Sequence, residues 1–444
     1  MIFKKTLISE FFTTVSFNQV LNSWYLMTFW IFKFLFWSDI KLLENQLLKY
    51  LSLNNSTLPS FFCKTPSLNI WSPVIDDRKI ISFYNWRSAI YNTLKLIWIS
   101  EGDEVITSWY TCSVVSNSII QSWANIVYND IEKTTLSLDV KDLKKNITTN
   151  TKVIIIQDTF WKQSCNYKDI INLAREKNIV IIEDRALSLW NNTQILWDFA
   201  IYSTGRDKVI SSVTWWFLLV NNINSVYEKF NLKEKIKKLE QDLEKPTFIL
   251  IIRNLLYNIV WYKAYKFYDF FSLGKIIIFI SRKLNLITEI LSFKEKNFKK
   301  SNFNLWFSSS LAYLAKKELL FLDKYTSNRL LKSKYYIENI ANPKIEIIFK
   351  ELSNYNWFRF PILLNSEGEK NSLYSYMKKN NVLLWNYWTG QNIIPSWIDL
   401  KNAKYIKWSC NVSEDISKRI LTLPNHKLIS KKDLSKVAEL LNLF

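Results

Sequence analysis

The spacing of apolar residues changes period along this chain, and each change marks an element. From Ile81 onward, short apolar runs alternate with amphipathic stretches. NWRSAIYNTLKLIWIS reads as a turn opening a helix, and DEVITSWYTC as a strand and loop. A helix through Ile119 follows, then the strands NIVYND and KVIIIQDTF, the helix DIINLAREKN and the strand NIVIIED. The run Ile179 to Ile182 is apolar without alternation, as strands buried on both faces of a parallel sheet are. Strands alternating with helices imply right-handed crossovers, so the expected class is α/β with a mostly parallel central sheet and helices on both faces.

The flanks read differently. Residues 1 to about 60 are mainly helical in pattern, with ENQLLKYLSL amphipathic. The aromatic run Trp24 to Trp37 is too short to span a membrane, contains Lys33, and lies too far in for a signal peptide, so it reads as a buried or interfacial segment. After the basic helix KEKIKKLEQDLEK comes an apolar, aromatic stretch broken by Arg253, Lys263, Lys266, Asp269, Lys275, Arg282 and Lys283. From Ser301, SSSLAYLAKKELLFLDKYTSNRLLKSKYYIENI reads as one long amphipathic helix, WFRFPILL as a strand, SLYSYMKKNNVLL as a helix, and the end as a strand or loop, an LPNH turn and a closing helix. The expected organisation is an N-terminal helical segment (1–60), a large domain (61–245), a basic apolar helical insertion (246–300) and a small α+β domain (301–444).

Two residues stand out for chemistry. Asp184 closes the buried strand that begins at Ile179, and ligands of open α/β sheets gather at the carboxyl ends of strands. Lys208 follows a Ser-Thr-Gly-Arg-Asp turn and precedes a β-branched run, which puts its amine near a strand end rather than on a solvated helix face. A carboxylate and a lysine so placed suit pyridoxal phosphate: the lysine forms a Schiff base, and the carboxylate keeps the pyridine nitrogen protonated so that the ring is an electron sink. Trp86-Arg87-Ser88 opens a helix, whose N–H groups and positive dipole end suit a phosphate.

Composition narrows the chemistry. The chain has 444 residues, 48% of them hydrophobic, enough for two or three domains around a large core. The net charge of +20 accompanies an excess of Lys, Asn, Ile, Phe and Tyr, the residues an AT-rich coding sequence inflates, and so does not argue for nucleic acid. Cys63, Cys112, Cys165 and Cys410 are scattered without a CxxC pair, which fits a reducing cytoplasm and leaves no metal site. The only histidine, His426, reads as structural, which removes His-based metal sites and Ser-His-Asp catalysis. Most unusual are 20 Trp beside 5 Gly, where about 30 Gly would be ordinary at roughly 7% usage. Trp98, Trp123, Trp190 and the pair Trp215-Trp216 fall at helix ends and turns, where glycine's freedom at positive φ is wanted. Either the chain is rich in tryptophan, or a codon that its source reads as glycine is written here as tryptophan; the placement favours the second.

Five pieces in order resemble the DegT/StrS family of pyridoxal-phosphate sugar aminotransferases, of the aspartate aminotransferase fold type I. They are YNWRSAI, ISEGDEVITSWYTCSVVSNSI, the segment from NIVYND to KVIIIQDTFW, IIEDRALSLW and IYSTGRDKVISS. Reading Trp86, Trp98, Trp123, Trp161, Trp190, Trp197, Trp215 and Trp216 as glycine improves the likeness each time. The resemblance implies that Lys208 carries the Schiff base, Asp184 contacts the pyridine nitrogen, Tyr110 stacks on the ring, and Trp86, Arg87, Ser88 and Ser203 hold the phosphate. It also implies a cytoplasmic homodimer that moves an amino group from an amino acid such as glutamate to a keto sugar, linked to a nucleotide. Two positions depart from the family: Leu187, where His or Gln is usual, and Asp158, where His is usual. Two other readings stay open: a fold type I enzyme with a different substrate, and a non-catalytic or membrane-associated relative. The stretch 246–283 either makes peripheral membrane contact or covers the dimer.

Overall fold

A computed structural model describes residues 8–9, 15–29, 38–53, 78–161, 166–189, 198–221, 230–268, 270–289, 293–299, 304–348, 358–384 and 398–444. The chain opens with β1 (Ile8–Ser9) and two helices, α1 (Phe17–Phe29) and α2 (Ser38–Leu53). A long α/β segment follows: β2 (Lys79–Phe83), α3 (Trp86–Leu96), β3 (Glu104–Ser108), α4 (Ser113–Gln121), β4 (Asn125–Asn129), α5 (Val140–Asn146), β5 (Thr151–Gln157), α6 (Tyr167–Glu176), β6 (Val180–Arg185), β7 (Phe199–Ser203) and β8 (Trp216–Val220). These strands make one seven-stranded sheet in the order β2-β8-β7-β6-β5-β3-β4. Only β8 runs antiparallel to its neighbours, β2 and β7; every other pairing is parallel.

Burial on both faces explains the unbroken apolar runs. In β5, Ile154 and Ile156 pack with Ile170, Ile171 and Ala174 of α6. Val153 and Ile155 between them point the other way, into the core that holds Ala89 and Ile90 of α3 and Val115 of α4. A one-residue slip would exchange the faces, so the register is fixed by packing.

Helices α7 (Leu232–Asp242), α8 (Phe248–Lys266), α9 (Leu273–Lys283) and α10 (Phe293–Lys296) come next, then α11 (Ser309–Leu319) and α12 (Leu322–Asn339). The chain ends with β9 (Ile345–Ile347), β10 (Phe360–Leu364), α13 (Glu367–Lys379), β11 (Val382–Leu383), α14 (Asn411–Arg419), β12 (Ile420–Leu423) and α15 (Lys431–Leu443). Antiparallel β12-β10-β9 forms the small domain's sheet, against which Leu373 and Met377 of α13 and Leu434, Val437 and Leu441 of α15 pack. No helix among the described residues is long and apolar enough to cross a membrane. Parts of the aromatic run after Phe29 lie outside the described residues, as do Trp190 and Trp197.

Three features correct the sequence reading. The expected single helix after Ser308 is two, broken at Leu320 and Phe321, because its halves serve different cores. Leu311, Leu314 and Ala315 of α11 belong to the large domain's cluster, whereas Tyr336 of α12 lies in the small domain's. The N-terminal segment is not helical throughout: β1 pairs in parallel with β11, tying the chain's start to the small domain. The β-branched run after Lys208 is a loop, and the strand begins only at Trp216.

Asp130, just past β4, binds the two domains together. Its carboxylate accepts from the Val412 N–H (2.8 Å), the Ser413 N–H (2.8 Å) and the Ser413 hydroxyl (2.7 Å), capping α14 from across the domain boundary. Asp130→Ala is expected to cost about 2 kcal/mol, the worth of a charged cap. Thermal unfolding monitors this, with an unchanged Tm as the contrary result.

Candidate functional site

Asp184 is brought to the carboxyl edge of the sheet by β6, and Lys208 by the loop that leaves the adjacent β7. That loop is built rigidly. The Lys208 N–H donates to the Gly205 carbonyl (3.0 Å), the Ser212 N–H to the Thr204 carbonyl (3.0 Å) and the Thr204 N–H to the Trp215 carbonyl (2.9 Å). Flanking helices brace it from outside. Gln19 of α1 donates to the Ser211 carbonyl (2.8 Å), and the Arg206 guanidinium lies 4.0 Å over the Tyr257 ring of α8. The insertion therefore supports the lysine loop as well as extending the surface.

Asp184 is 2% exposed, and one carboxylate oxygen accepts from the Ala186 N–H (3.1 Å). Burial pushes its pKa up to about 7, opposed by that N–H and by the Lys208 charge. Burial likewise pulls Lys208 down to about 8, opposed first by the Asp184 carboxylate and then by Cys112. An acid and a base are thus held in one site with their affinities for protons drawn together. Asp207 is raised by burial too, and the Arg359, Lys208 and Arg206 cations restrain that rise.

The other expected residues fall around this pair with different engagements. Asn85 caps α3: its side-chain oxygen accepts from the Ser88 N–H (2.9 Å) and the Ser88 hydroxyl (3.0 Å). Arg87 turns to Glu295 of α10, Nε to carboxylate 2.6 Å, in a pair where both side chains are 9% exposed. Ser203 accepts from the Gly205 N–H (3.0 Å), acting within its own turn. Tyr110 is wholly buried, its ring centre 6.1 Å from that of Phe160 in an edge-to-face arrangement. Trp86, the first residue of α3, lies parallel to Trp216 at 4.9 Å and 3°, and Lys208 Nζ stands 5.8 and 5.5 Å from the two rings. Trp216 also comes within 3.2 Å of where a Cβ on Gly205 would be.

These facts decide how far the pocket suits pyridoxal phosphate. Its ring end fits, since a buried carboxylate and a depressed lysine are the groups that cofactor needs. Its phosphate end does not: indoles at 86 and 216 fill the space bounded by Ser203, Gly205, Lys208 and the start of α3.

Asp158, Leu187 and His426, singled out in the sequence, and Phe358 and Arg359, which the sequence did not disclose, complete the surroundings of the pair. Asp158 accepts from the Ser188 hydroxyl (2.8 Å) and lies 3.8 Å from Arg185, which pairs with Glu183 at 2.5 Å, so this departure from the family pattern anchors a buried network behind Asp184. Leu187 packs against the large domain's core instead of offering a polar contact. Phe358 and Arg359 reach the site from the small domain: the Phe358 ring is 5.8 Å from Lys208 Nζ, and the Arg359 charge bears on Lys208 and Asp207. Their only sequence signal is a cation beside aromatics in WFRF, about 150 residues beyond Lys208 by ordinary chain counting. His426 is buried and structural, its Nε2 2.8 Å from the Ser9 carbonyl.

Residues 74–194 and 290–442 match the model of the DegT/DnrJ/EryC1/StrS aminotransferase family, well over half of the chain. The chain belongs to that family. Spore coat polysaccharide biosynthesis protein SpsC of Bacillus subtilis is 32% identical over 126 residues, 28% of this chain and 29% of that protein. GDP-perosamine synthase of Escherichia coli O157:H7 is 32% identical over 102 residues, 23% of this chain and 28% of that one. The matched stretches therefore span less than a third of these relatives. Over nearly the whole fold, NtdA of Bacillus subtilis with bound cofactor PMP superposes with a TM-score of 0.66 at 17% identity, covering 97% of this chain and 82% of that one. This likeness establishes the fold of the DegT/DnrJ/EryC1/StrS member described here.

The lowered affinity of Lys208 for its proton is directly measurable. Its reaction with trinitrobenzenesulfonate, followed by peptide mapping, is expected to rise with pH to a half-maximum near 8; a half-maximum at the ordinary 10.5 would contradict this. Because the Asp184 charge favours the ammonium form, Asp184→Asn is expected to move that midpoint lower still.

Proposed function

We propose that this protein is a pyridoxal-phosphate-dependent aminotransferase that moves an amino group from an amino acid, glutamate by choice, to a keto sugar carried on a nucleotide. The observation that carries the reading is the placing of buried Asp184 at the end of β6 and of Lys208 in the loop after the adjacent β7, each charge bearing on the other, in a chain of this family. The name of GDP-perosamine synthase supports a nucleotide-linked sugar product. Bound here, the cofactor supplies an electron sink. The residues supply the rest. Asp184 presents a buried negative charge, Lys208 Nζ can hold or release a proton near neutral pH, and Arg359 offers a cation for the donor's carboxylate.

A cytoplasmic homodimer belongs to the same reading. Exposed apolar side chains on α1, α8 and α9, among them Phe29, Ile249 and Phe279 at 67%, 62% and 65% exposure, give a second copy something to cover. Sedimentation of the intact protein is expected to give a dimer. A monomer that floats with anionic vesicles would instead assign this surface to a membrane.

In protein purified from its own source, Lys208→Ala and wild type are to be compared for transfer from glutamate to a nucleotide-linked keto sugar. Loss of a group that carries protons in the reaction is expected to lower kcat at least about 10²–10⁴-fold. Arg359→Gln is expected to raise KM for glutamate about tenfold with kcat nearly unchanged, as loss of a charged hydrogen bond does. Equal KM values for wild type and this variant would remove Arg359 from donor binding.

A further inference from the structure

The helix ends supply evidence on what certain residues are. Among the described residues, six helices close with a left-handed residue just past the cap, and in three it is asparagine: Asn178 after α6, Asn285 after α9 and Asn381 after α13, with φ of 56°, 56° and 60°. In two it is tryptophan, Trp98 after α3 (φ 61°) and Trp123 after α4 (φ 70°), and in the sixth it is Phe298 after α10 (φ 54°), whose ring, unlike those two, is buried in a hydrophobic core. The hydrogen bonds show the same motif. Trp98 N–H reaches the Lys95 carbonyl (3.1 Å) and Ile99 N–H the Leu94 carbonyl (3.0 Å), just as Asn178 N–H reaches Arg175 (3.1 Å) and Ile179 N–H reaches Ala174 (2.8 Å). Glycine and asparagine fill this position because a bulky Cβ substituent crowds the backbone at positive φ.

Nothing in the packing compensates. Trp98 and Trp123 are 66% and 73% exposed, and Trp408, a third left-handed tryptophan at φ 72°, is 57% exposed. The nearest groups recorded over the Trp98 and Trp408 rings are lysine amines: Lys235 at 3.5 Å over Trp98, and Lys407 and Lys418 at 4.9 and 4.8 Å over Trp408. At Trp86 and Trp216 the misfit is of another kind: two buried indoles are stacked in the space beside Lys208, and Trp86 Nε1 has no hydrogen-bond partner among the described residues. Trp109 likewise has no hydrogen-bond partner for Nε1 among the described residues, but its backbone is not left-handed and its ring is stacked on Tyr405 at 3.5 Å in a packed core.

We propose that positions 86, 98, 123, 216 and 408 are glycine in the protein its source makes, and that the volume now filled by the indoles of Trp86 and Trp216 is open in that protein to an anionic group. At 98, 123 and 408 a left-handed backbone coincides with an exposed ring, whereas left-handed Phe298 is buried. The two glycines at 86 and 216 rest additionally on the proposed cofactor function, because what makes the indoles out of place is the pocket they fill.

Peptide mass spectrometry of the full chain isolated from its source reads these residues directly. Glycine at all five positions is expected; tryptophan at any one overturns the inference there. A second arm uses the complete chain as written, made recombinantly. Trp98→Gly, Trp123→Gly and Trp408→Gly are each expected to raise Tm by about 1–3 °C, and a fall would contradict the strain argument. Trp86→Gly combined with Trp216→Gly is expected to bind pyridoxal phosphate, and inorganic phosphate alone, at least tenfold more tightly in equilibrium dialysis. Unchanged binding by that pair overturns the pocket claim. Glycine in the source peptides with no bound cofactor would leave the residue identities standing and remove the aminotransferase reading.

Discussion

Everything near the site depends on one constraint: two opposite charges, the buried Asp184 and the half-buried Lys208, are held together at the sheet's carboxyl edge. Burial raises the acid and lowers the base, and the charge of each offsets part of that shift in the other. Such a pair survives only if the scaffold fixes both partners. The parallel sheet does this for Asp184, whose strand is hydrogen-bonded on both sides by β5 and β7. The loop bonds around Thr204, Gly205 and Ser212 do it for Lys208.

Support for that arrangement comes from parts of the chain far from it in sequence. Lys427 of the small domain joins Glu318 of α11 (3.0 Å) and Gln19 of α1 (3.3 Å), and Gln19 in turn holds the lysine loop. Asp130 locks α14 to the large domain from the opposite side. Phe358 and Arg359 then close over Lys208 from the small domain, so the site lies between two bodies that several buried polar links keep in register. The insertion helix α8 contributes Asn254, which bonds Tyr84 (2.6 Å) and Thr288 (2.8 Å), and Thr288 bonds Arg206 beside the lysine.

What could be read from the sequence follows from what is local. Period-two and unbroken apolar runs disclosed β3 to β6 and the helices α3, α4 and α6, though not the short α5, and the strand carrying Asp184 disclosed the edge where the candidate site lies, because face and period are written in neighbouring residues. The antiparallel course of β8 was not legible, since its partners β2 and β7 are chosen by the sheet and not by the strand. Nor was the break between α11 and α12, where no Pro or Gly stands and only the separation of two cores requires a turn. Arg87 was readable as a cation at a helix start, yet its partner Glu295 lies too distant in the chain to suggest that it would turn away from an anion. The tryptophans at helix ends were legible for the opposite reason: the cap motif is local, and its demand for positive φ can be checked residue by residue.

The most direct test of the account is reduction with borohydride of the protein purified from its source, followed by peptide mapping. A pyridoxyl phosphate group is expected on Lys208 and on no other lysine among the chain's 59 basic residues. A label on a different lysine, or none at all, would contradict it.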